Sequence, residues 1–138
     1  MGAQQLQQQQ QHQQQQPQHA RPVCEGFLEK KKSSERRIPI GPSWKRRYCM
    51  LSTDGLRLYG SKQEYMCGAG ELRIIPMCHI KCVRQVSRSD EAITGDRTLQ
   101  YFDVETERGD TTSLRFRDRV AWPALIQIEL IKYKVRVF

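Results

Sequence analysis

From Val23 onward the chain consists of short runs rich in Val, Ile, Leu, Tyr and Phe, separated by clusters of Gly, Pro, Ser and Asp. Runs of this length and composition, bounded by turn-forming residues, are typical of strands. In residues 101–105, Phe102 and Val104 alternate with acidic residues, which indicates a sheet with one buried and one solvated face. The pattern predicts a sandwich or small barrel with strands near residues 23–32, 44–52, 56–61, 70–76, 79–86, 98–106 and 111–117.

Two glycine-containing turns connect neighbouring strands of this prediction. Asp54-Gly55 lies between two apolar runs, and Gly109-Asp110 separates the last two strands. Glycine accepts positive φ angles at no steric cost, so Asp-Gly favours a tight hairpin. We therefore expect antiparallel hairpins at both places.

The last segment, residues 121–138, allows two interpretations. Ile126 and Ile128 alternate with polar residues, as in a strand, whereas Leu125, Ile128 and Ile131 also fit one face of a helix. Pro123 is tolerated in a first helical turn. The length of the segment favours a helix.

A Gln-rich segment precedes the strands. Residues 1–20 contain 12 Gln and no charged residue, so they cannot bury enough apolar surface to offset the entropy of ordering. We predict a disordered tail over residues 1–22, with a poly-Gln interaction segment as the alternative, and one folded domain over residues 23–138.

Positive charge is concentrated in the first predicted hairpin. The chain has 23 basic and 15 acidic residues, a net charge of +8. Residues 23–47 hold eight basic and three acidic residues, hence +5, and Lys30–Lys32 and Lys45–Arg47 flank a loop with two prolines. If the flanking strands pair, both basic segments converge. Convergent Lys and Arg form a site for multivalent anions such as phosphates, although a basic loop also serves simply as a solubilising surface.

The period of a strand sorts these side chains between two faces. Successive side chains point to opposite sides of a strand. We therefore expect Lys45 and Arg47 to share one face near the loop, and Arg46 to lie on the other face towards solvent.

Several segments resemble a pleckstrin homology (PH) domain. The resemblance is carried by the following segments in order: Glu25–Lys30, Trp44–Leu51, Asp54–Tyr59, Arg73–Met77, Leu99–Val104, Ser113–Phe116 and Trp122. A weaker similarity, in residues 26–31 and 122–130, is to the PH domains of signal-transducing adaptor proteins.

The resemblance implies a mainly β fold, a seven-stranded bent antiparallel sandwich capped by one C-terminal helix. In lipid-binding members the first two strands hold a phosphoinositide headgroup, and the matching residues here are Lys30, Lys45 and Arg47. We expect these further basic residues to assist: Lys31, Lys32, Arg36, Arg37 and Arg57. Ile38–Ile40, at the loop tip, would insert shallowly among lipid headgroups.

These observations predict a non-catalytic module, cytoplasmic and recruited peripherally to membranes through phosphoinositides and anionic lipid. The alternative is a protein-interaction domain of a signalling adaptor or scaffold, in which a partner binds the sheet edge or the helix. A module of this kind usually belongs to a larger protein, so we expect a fragment or a short isoform.

Other functional classes find little support in the residues. Two of the three histidines lie in the tail, which argues against a histidine-based catalytic site, and we expect no cofactor. The spacing of Cys78, His79 and Cys82 matches no established zinc pattern, so we expect reduced thiols and no metal. Aromatic residues do not interleave with the basic segments as in a base-stacking surface, which argues against nucleic acid.

Overall fold

Seven strands and two α-helices make up the described part of the chain. The computed structural model describes residues 21–32, 43–87 and 98–137. The elements are β1 (Pro22–Lys31), β2 (Trp44–Ser52), β3 (Gly55–Tyr59), α1 (Lys62–Met66), β4 (Arg73–Pro76), β5 (Ile80–Val86), β6 (Gln100–Thr106), β7 (Thr111–Phe116) and α2 (Trp122–Val137). A 3₁₀ turn, Met77–His79, joins β4 to β5.

The strands form one antiparallel sheet in the order β4-β3-β2-β1-β7-β6-β5. Each of the seven strands contributes buried apolar side chains to a single core, to which α2 adds Trp122, Ile126 and Leu130. A flat sheet cannot bring all its strands to one core, so the sheet curls around it and the helix closes the opening. The predicted fold, a seven-stranded antiparallel sandwich with a C-terminal helix, is confirmed.

Both predicted glycine turns are present. Gly55 begins β3 directly after the turn, and Gly109, in the β6–β7 turn, has a φ of 91°. A Cβ on Gly55 would lie 2.5 Å from the carbonyl oxygen of Ile75, so glycine is needed there for close packing of β3 on β4.

The last segment is a helix of 16 residues, which decides between the two interpretations. The indole nitrogen of Trp122 donates to Asp118 Oδ2 over 3.3 Å, and the backbone N–H of Val120 donates to Asp118 Oδ1 over 3.0 Å. Asp118 thus secures the entry into α2 while the Trp122 ring is fully buried.

The short helix α1 was not predicted from the sequence. The Ser61 hydroxyl caps its first turn by accepting from the N–H of Glu64. Its Tyr65 ring packs against Tyr48 and Tyr59 on the outer face of β2 and β3. In the described residues no helix is long and apolar enough to cross a bilayer.

Candidate functional site

The two basic segments of the first hairpin lie side by side. β1 and β2 pair with Lys30 opposite Lys45 and Leu28 opposite Arg47. Beyond the last pair, the N–H of Lys32 donates to the carbonyl oxygen of Ser43 over 2.8 Å. The register therefore brings together cations from two separate stretches of sequence, as predicted from their positions around the loop.

Three of these cations lie on the inner face of the sheet. Residues directly opposite each other in an antiparallel pair share a face. Leu28 and Cys49 are fully buried in the core, and Lys30, Lys45 and Arg47 follow the same alternation. These side chains therefore extend the inner face to the open end of the hairpin. Arg46 lies on the outer face, 3.7 Å above the ring of Phe27, as the strand period predicted.

Arg73 approaches the same place from β4. It lies opposite Leu58 of β3, which is buried in the core, so Arg73 also lies on the inner face. Burial lowers the pKa of Lys30, and the positive charges of Arg73 and Arg47 lower this pKa further. We call Lys30, Lys45, Arg47 and Arg73 the cationic cluster. Arg73 was not among the predicted site residues, although the sequence shows it as the basic residue that opens the segment Arg73–Met77.

Among the described residues, the cationic cluster lacks the acidic partners that several other arginines have. Arg84 pairs with Glu105 over 2.6 Å, and Arg115 and Arg117 both pair with Glu29. Within the described ranges, no carboxylate lies within 4.0 Å of any of the four cations in the cluster. The guanidinium of Arg47 donates to a neighbouring backbone carbonyl, that of Arg46, over 3.1 Å. Like charges held together without counter-charges favour the binding of an anion.

A cavity of about 270 Å³ adjoins the cluster at Arg73. It lies between β4, the 3₁₀ turn and the β6–β7 turn, and its basic lining residues are Arg73, His79 and Arg108. Glu107 and Asp110 also line it, so its charge is mixed. Its volume lies just below the range for small-molecule pockets, roughly 300–1,000 Å³.

The remaining predicted site residues of the first hairpin are Lys31, Lys32, Arg36 and Arg37. Lys31 is exposed on the outer face opposite Trp44, and Lys32 follows the end of β1. Arg36, Arg37 and the apolar loop tip Ile38–Ile40 lie outside the described residues.

The geometry does not support the predicted role of Arg57. Arg57 lies opposite Met50, on the face of β3 that points away from the core. Both of its terminal nitrogens bind Asp54, over 2.8 and 2.9 Å, and one also donates to Ser52. Arg57 therefore braces the β2–β3 turn and does not join the cationic cluster.

Burial makes two of the described thiols, those of Cys24 and Cys49, poor nucleophiles. Burial raises the pKa of Cys24 to about 11 and that of Cys49 to about 12, so both thiols stay protonated at neutral pH. In residues 21–32, 43–87 and 98–137, no three His, Cys, Asp or Glu side chains come together as a metal site would require.

Sequence comparisons agree with the fold. A PH domain family model matches residues 22–118. Pleckstrin homology-like domain family A member 3 of Danio rerio is 31% identical over 114 residues, which cover 82% of this chain and 76% of that protein. Pleckstrin homology-like domain family A member 2 of Xenopus tropicalis is 31% identical over 112 residues, which cover 81% of this chain and 71% of that protein.

Solved structures with similar folds are PH domains at low sequence identity. The PH domain of human oxysterol binding protein-related protein 11 has a TM-score of 0.63 at 16% identity, with 83% of this chain and 85% of that chain covered. The Slm1-PH domain in complex with phosphoserine has a TM-score of 0.56 at 15% identity, with 79% and 95% covered. At such identities the comparison concerns the fold alone.

Proposed function

Because this chain belongs to the PH domain family, we propose that it is a non-catalytic membrane-recruitment module. It binds phosphoinositide headgroups and anionic lipid through the cationic cluster. Residues 23–138 act as the recruited domain, and residues 1–22 form a tail that takes no part in lipid binding.

The observation that carries the proposal is that the cationic cluster has no acidic partner among the residues that the structure describes. A phosphate monoester accepts bidentate hydrogen bonds from Arg and point-charge contacts from Lys. The ammonium of Lys30 is partly desolvated and faces two guanidinium groups, so a bound phosphate would remove a repulsion that the free domain bears.

The solved structures with similar folds add chemical support. Slm1-PH structures are described in complex with phosphoserine and with inositol-4-phosphate. Both ligands present a phosphate monoester, which is the group that the cationic cluster would contact here. Anionic lipids around such a headgroup add roughly 1 kcal/mol of attraction for each nearby Lys or Arg.

Vesicle sedimentation tests the proposal. One set of phosphatidylcholine vesicles contains a phosphoinositide, and a matched set carries equal negative charge as phosphatidylserine. We expect the wild-type domain to prefer the phosphoinositide vesicles. Lys45→Ala combined with Arg47→Ala should weaken that binding about tenfold or more, because two phosphate contacts are lost.

A control variant removes the same net charge from another place. Arg21 and Arg119 are both exposed. Arg21 precedes β1 and Arg119 follows β7, at the end of the sandwich opposite the cluster. Arg21→Ala combined with Arg119→Ala should bind like wild type. Equal losses in the two double variants would mean that only net charge matters, and no loss in either would remove the cluster from the function.

A second function, protein interaction, is favoured by one observation. Large apolar side chains of α2 are exposed to solvent at Ile128, Ile131 and Val135. They lie on the opposite side of α2 from the buried Trp122 and Ile126. This surface does not depend on the cationic cluster.

A further inference from the structure

Helix α2 has two apolar faces. One face buries Trp122, Ile126 and Leu130 in the core. On the other side Ile128, Ile131 and Val135 are 46%, 52% and 74% exposed. A helix that only caps a sandwich needs one apolar face, and its solvent face is ordinarily polar. The second face therefore needs a separate explanation.

The second face has the spacing of a helix-packing seam. Ala124, Ile128, Ile131 and Val135 follow one another at intervals of four, three and four residues, and all four are exposed. These are the a and d intervals of a heptad, with β-branched residues at the two a positions, Ile128 and Val135. Since successive residues of a helix are about 100° apart, these four side chains span only about 60° of the helix circumference. This apolar stripe is narrower than the apolar face of an ordinary amphipathic helix. We call these four residues the helix seam.

Positive charge borders the helix seam. Lys132 and Lys134 occupy the flanking e and g positions, and Arg136 lies one step farther round the helix. Lys132 is 63% exposed although its ammonium lies 3.5 Å from Glu129 Oε1. Within α2, whose described residues are 122–137, the only acidic residue is the buried Glu129. In helix pairs the e and g charges set the choice of partner.

We propose that the helix seam docks one amphipathic helix of a partner protein, with aliphatic residues at a and d and Glu or Asp at e and g. Two copies of this chain would place Lys against Lys, which disfavours a homodimer. A bilayer is a poorer fit because a membrane-surface helix presents a broad apolar face with Trp or Phe, and the helix seam is narrow and aliphatic.

A designed peptide pair tests the docking. One peptide of about four heptads has Ile at a, Leu at d and Glu at e and g; the matched peptide has Lys at e and g. By fluorescence anisotropy of the labelled peptides we expect the Glu peptide to bind wild-type protein about tenfold or more tightly than the Lys peptide. Ile131→Gln should abolish this binding, and Lys134→Glu should reduce it several-fold.

Leu72→Gln is the matched control, because Leu72 is also an exposed apolar residue, 61% exposed, and lies between α1 and β4. It should bind the Glu peptide like wild type. Circular dichroism and a thermal melt establish that Ile131→Gln is folded, as expected for an exposed side chain.

Three outcomes would overturn the proposal. The first is that wild-type protein binds both peptides with equal affinity. The second is that wild-type protein dimerises in sedimentation and Ile131→Gln abolishes the dimer. The third is that Ile131→Gln loses binding to phosphatidylserine vesicles. The last two outcomes would assign the helix seam to a second copy or to a membrane. Since Lys45→Ala with Arg47→Ala leaves the helix seam unchanged, failure of lipid binding and failure of peptide binding are distinguishable.

Discussion

At the scale of single residues, the charge of Lys30 destabilises the fold while it serves the proposed binding of phosphate. It lies opposite Leu114 of β7 as well as Lys45 of β2, beside core residues and other cations. Its pKa in the folded state is lowered by burial and then by Arg73 and Arg47. Below this lowered pKa the side chain is charged in both the folded and the unfolded state, so folding bears the full repulsion at neutral pH. The repulsion is relieved only as the pH rises through the lowered pKa.

Replacing Lys30 should therefore improve stability while it impairs binding. We expect Lys30→Met to raise the free energy of unfolding by about 0.5 kcal/mol at neutral pH, a small value because solvent screens the ammonium. The same variant should lose several-fold in binding to phosphoinositide vesicles. Urea denaturation and sedimentation measure the two effects, with Lys31→Met on the exposed outer face as control. A Lys30→Met domain less stable than the control would contradict this account.

Asp54 makes the opposite contribution. Hydrogen bonds from Arg57 hold its pKa at about 2, below the ordinary 3.8, although partial burial acts against them. A lowered carboxyl pKa stabilises the fold above pH 3.8, and this contribution is lost as the pH falls towards 2.

Asp54→Asn should accordingly lower the free energy of unfolding by about 1 kcal/mol at pH 6. The loss is small because the carboxylate is partly exposed and solvent screens its charge. The difference from wild type should shrink by more than half at pH 2. Denaturant melts at the two pH values measure it. A difference that does not change with pH would mean that the Asp54 charge plays no part in bracing the turn.

At the scale of elements, the edge of the sheet depends on how closely β3 approaches β4. Gly55 has a φ of 157°, and an added Cβ would meet the Ile75 carbonyl oxygen at 2.5 Å. Gly109 has a φ of 91° but open space around its Cβ position. Gly109 therefore has a conformational requirement alone, whereas Gly55 has a steric requirement in addition to a conformational one.

Gly55→Ala should destabilise the domain more than Gly109→Ala. We expect Gly55→Ala to lower the free energy of unfolding by about 3 kcal/mol, because the backbone of β4 must move. We expect Gly109→Ala to lower it by about 1 kcal/mol from conformational strain alone. Thermal or urea unfolding of both variants measures the difference. Equal losses would mean that β4 accommodates the methyl group and that close packing does not determine the residue.

At the scale of the whole molecule, ion pairing is uneven. Several arginines outside the cationic cluster have acidic partners, namely Arg57, Arg84, Arg115 and Arg117, whereas the described members of the cationic cluster have none within 4.0 Å. The cationic cluster is therefore a site of unbalanced positive charge at the open end of the first hairpin. Such an arrangement steers the domain towards an anionic surface.

Vesicle binding should be strongly dependent on salt. The Debye length falls from about 10 Å at 0.1 M to about 3 Å at 1 M ionic strength. We expect binding to phosphoinositide vesicles to weaken at least tenfold over this range, and Lys45→Ala combined with Arg47→Ala to show a shallower dependence than wild type. Sedimentation across a salt series measures both slopes. Parallel slopes for the two proteins would place the interacting charges outside the cationic cluster.

Much of the fold was predictable because it rests on local chemistry. Strand alternation separated Lys45 and Arg47 from Arg46, and the Asp-Gly pair predicted the β2–β3 turn; the structure confirms both. These signals depend on the two-residue period of a strand and on the backbone freedom of glycine, which neighbouring residues carry by themselves.

Relations between distant segments were decided by the tertiary structure. Arg73 reaches Lys30 only because β3 and β4 pair beside β2, and Arg57 is directed away because its strand turns that residue outward towards Asp54. The apolar residues of α2 are compatible with both a strand and a helix when only the sequence is considered. In the structure they form a helix, with Trp122 packed in the core and the helix seam exposed to solvent. Local periodicity thus determined which side chains share a face, while the choice of face towards the core depended on contacts between segments far apart in sequence.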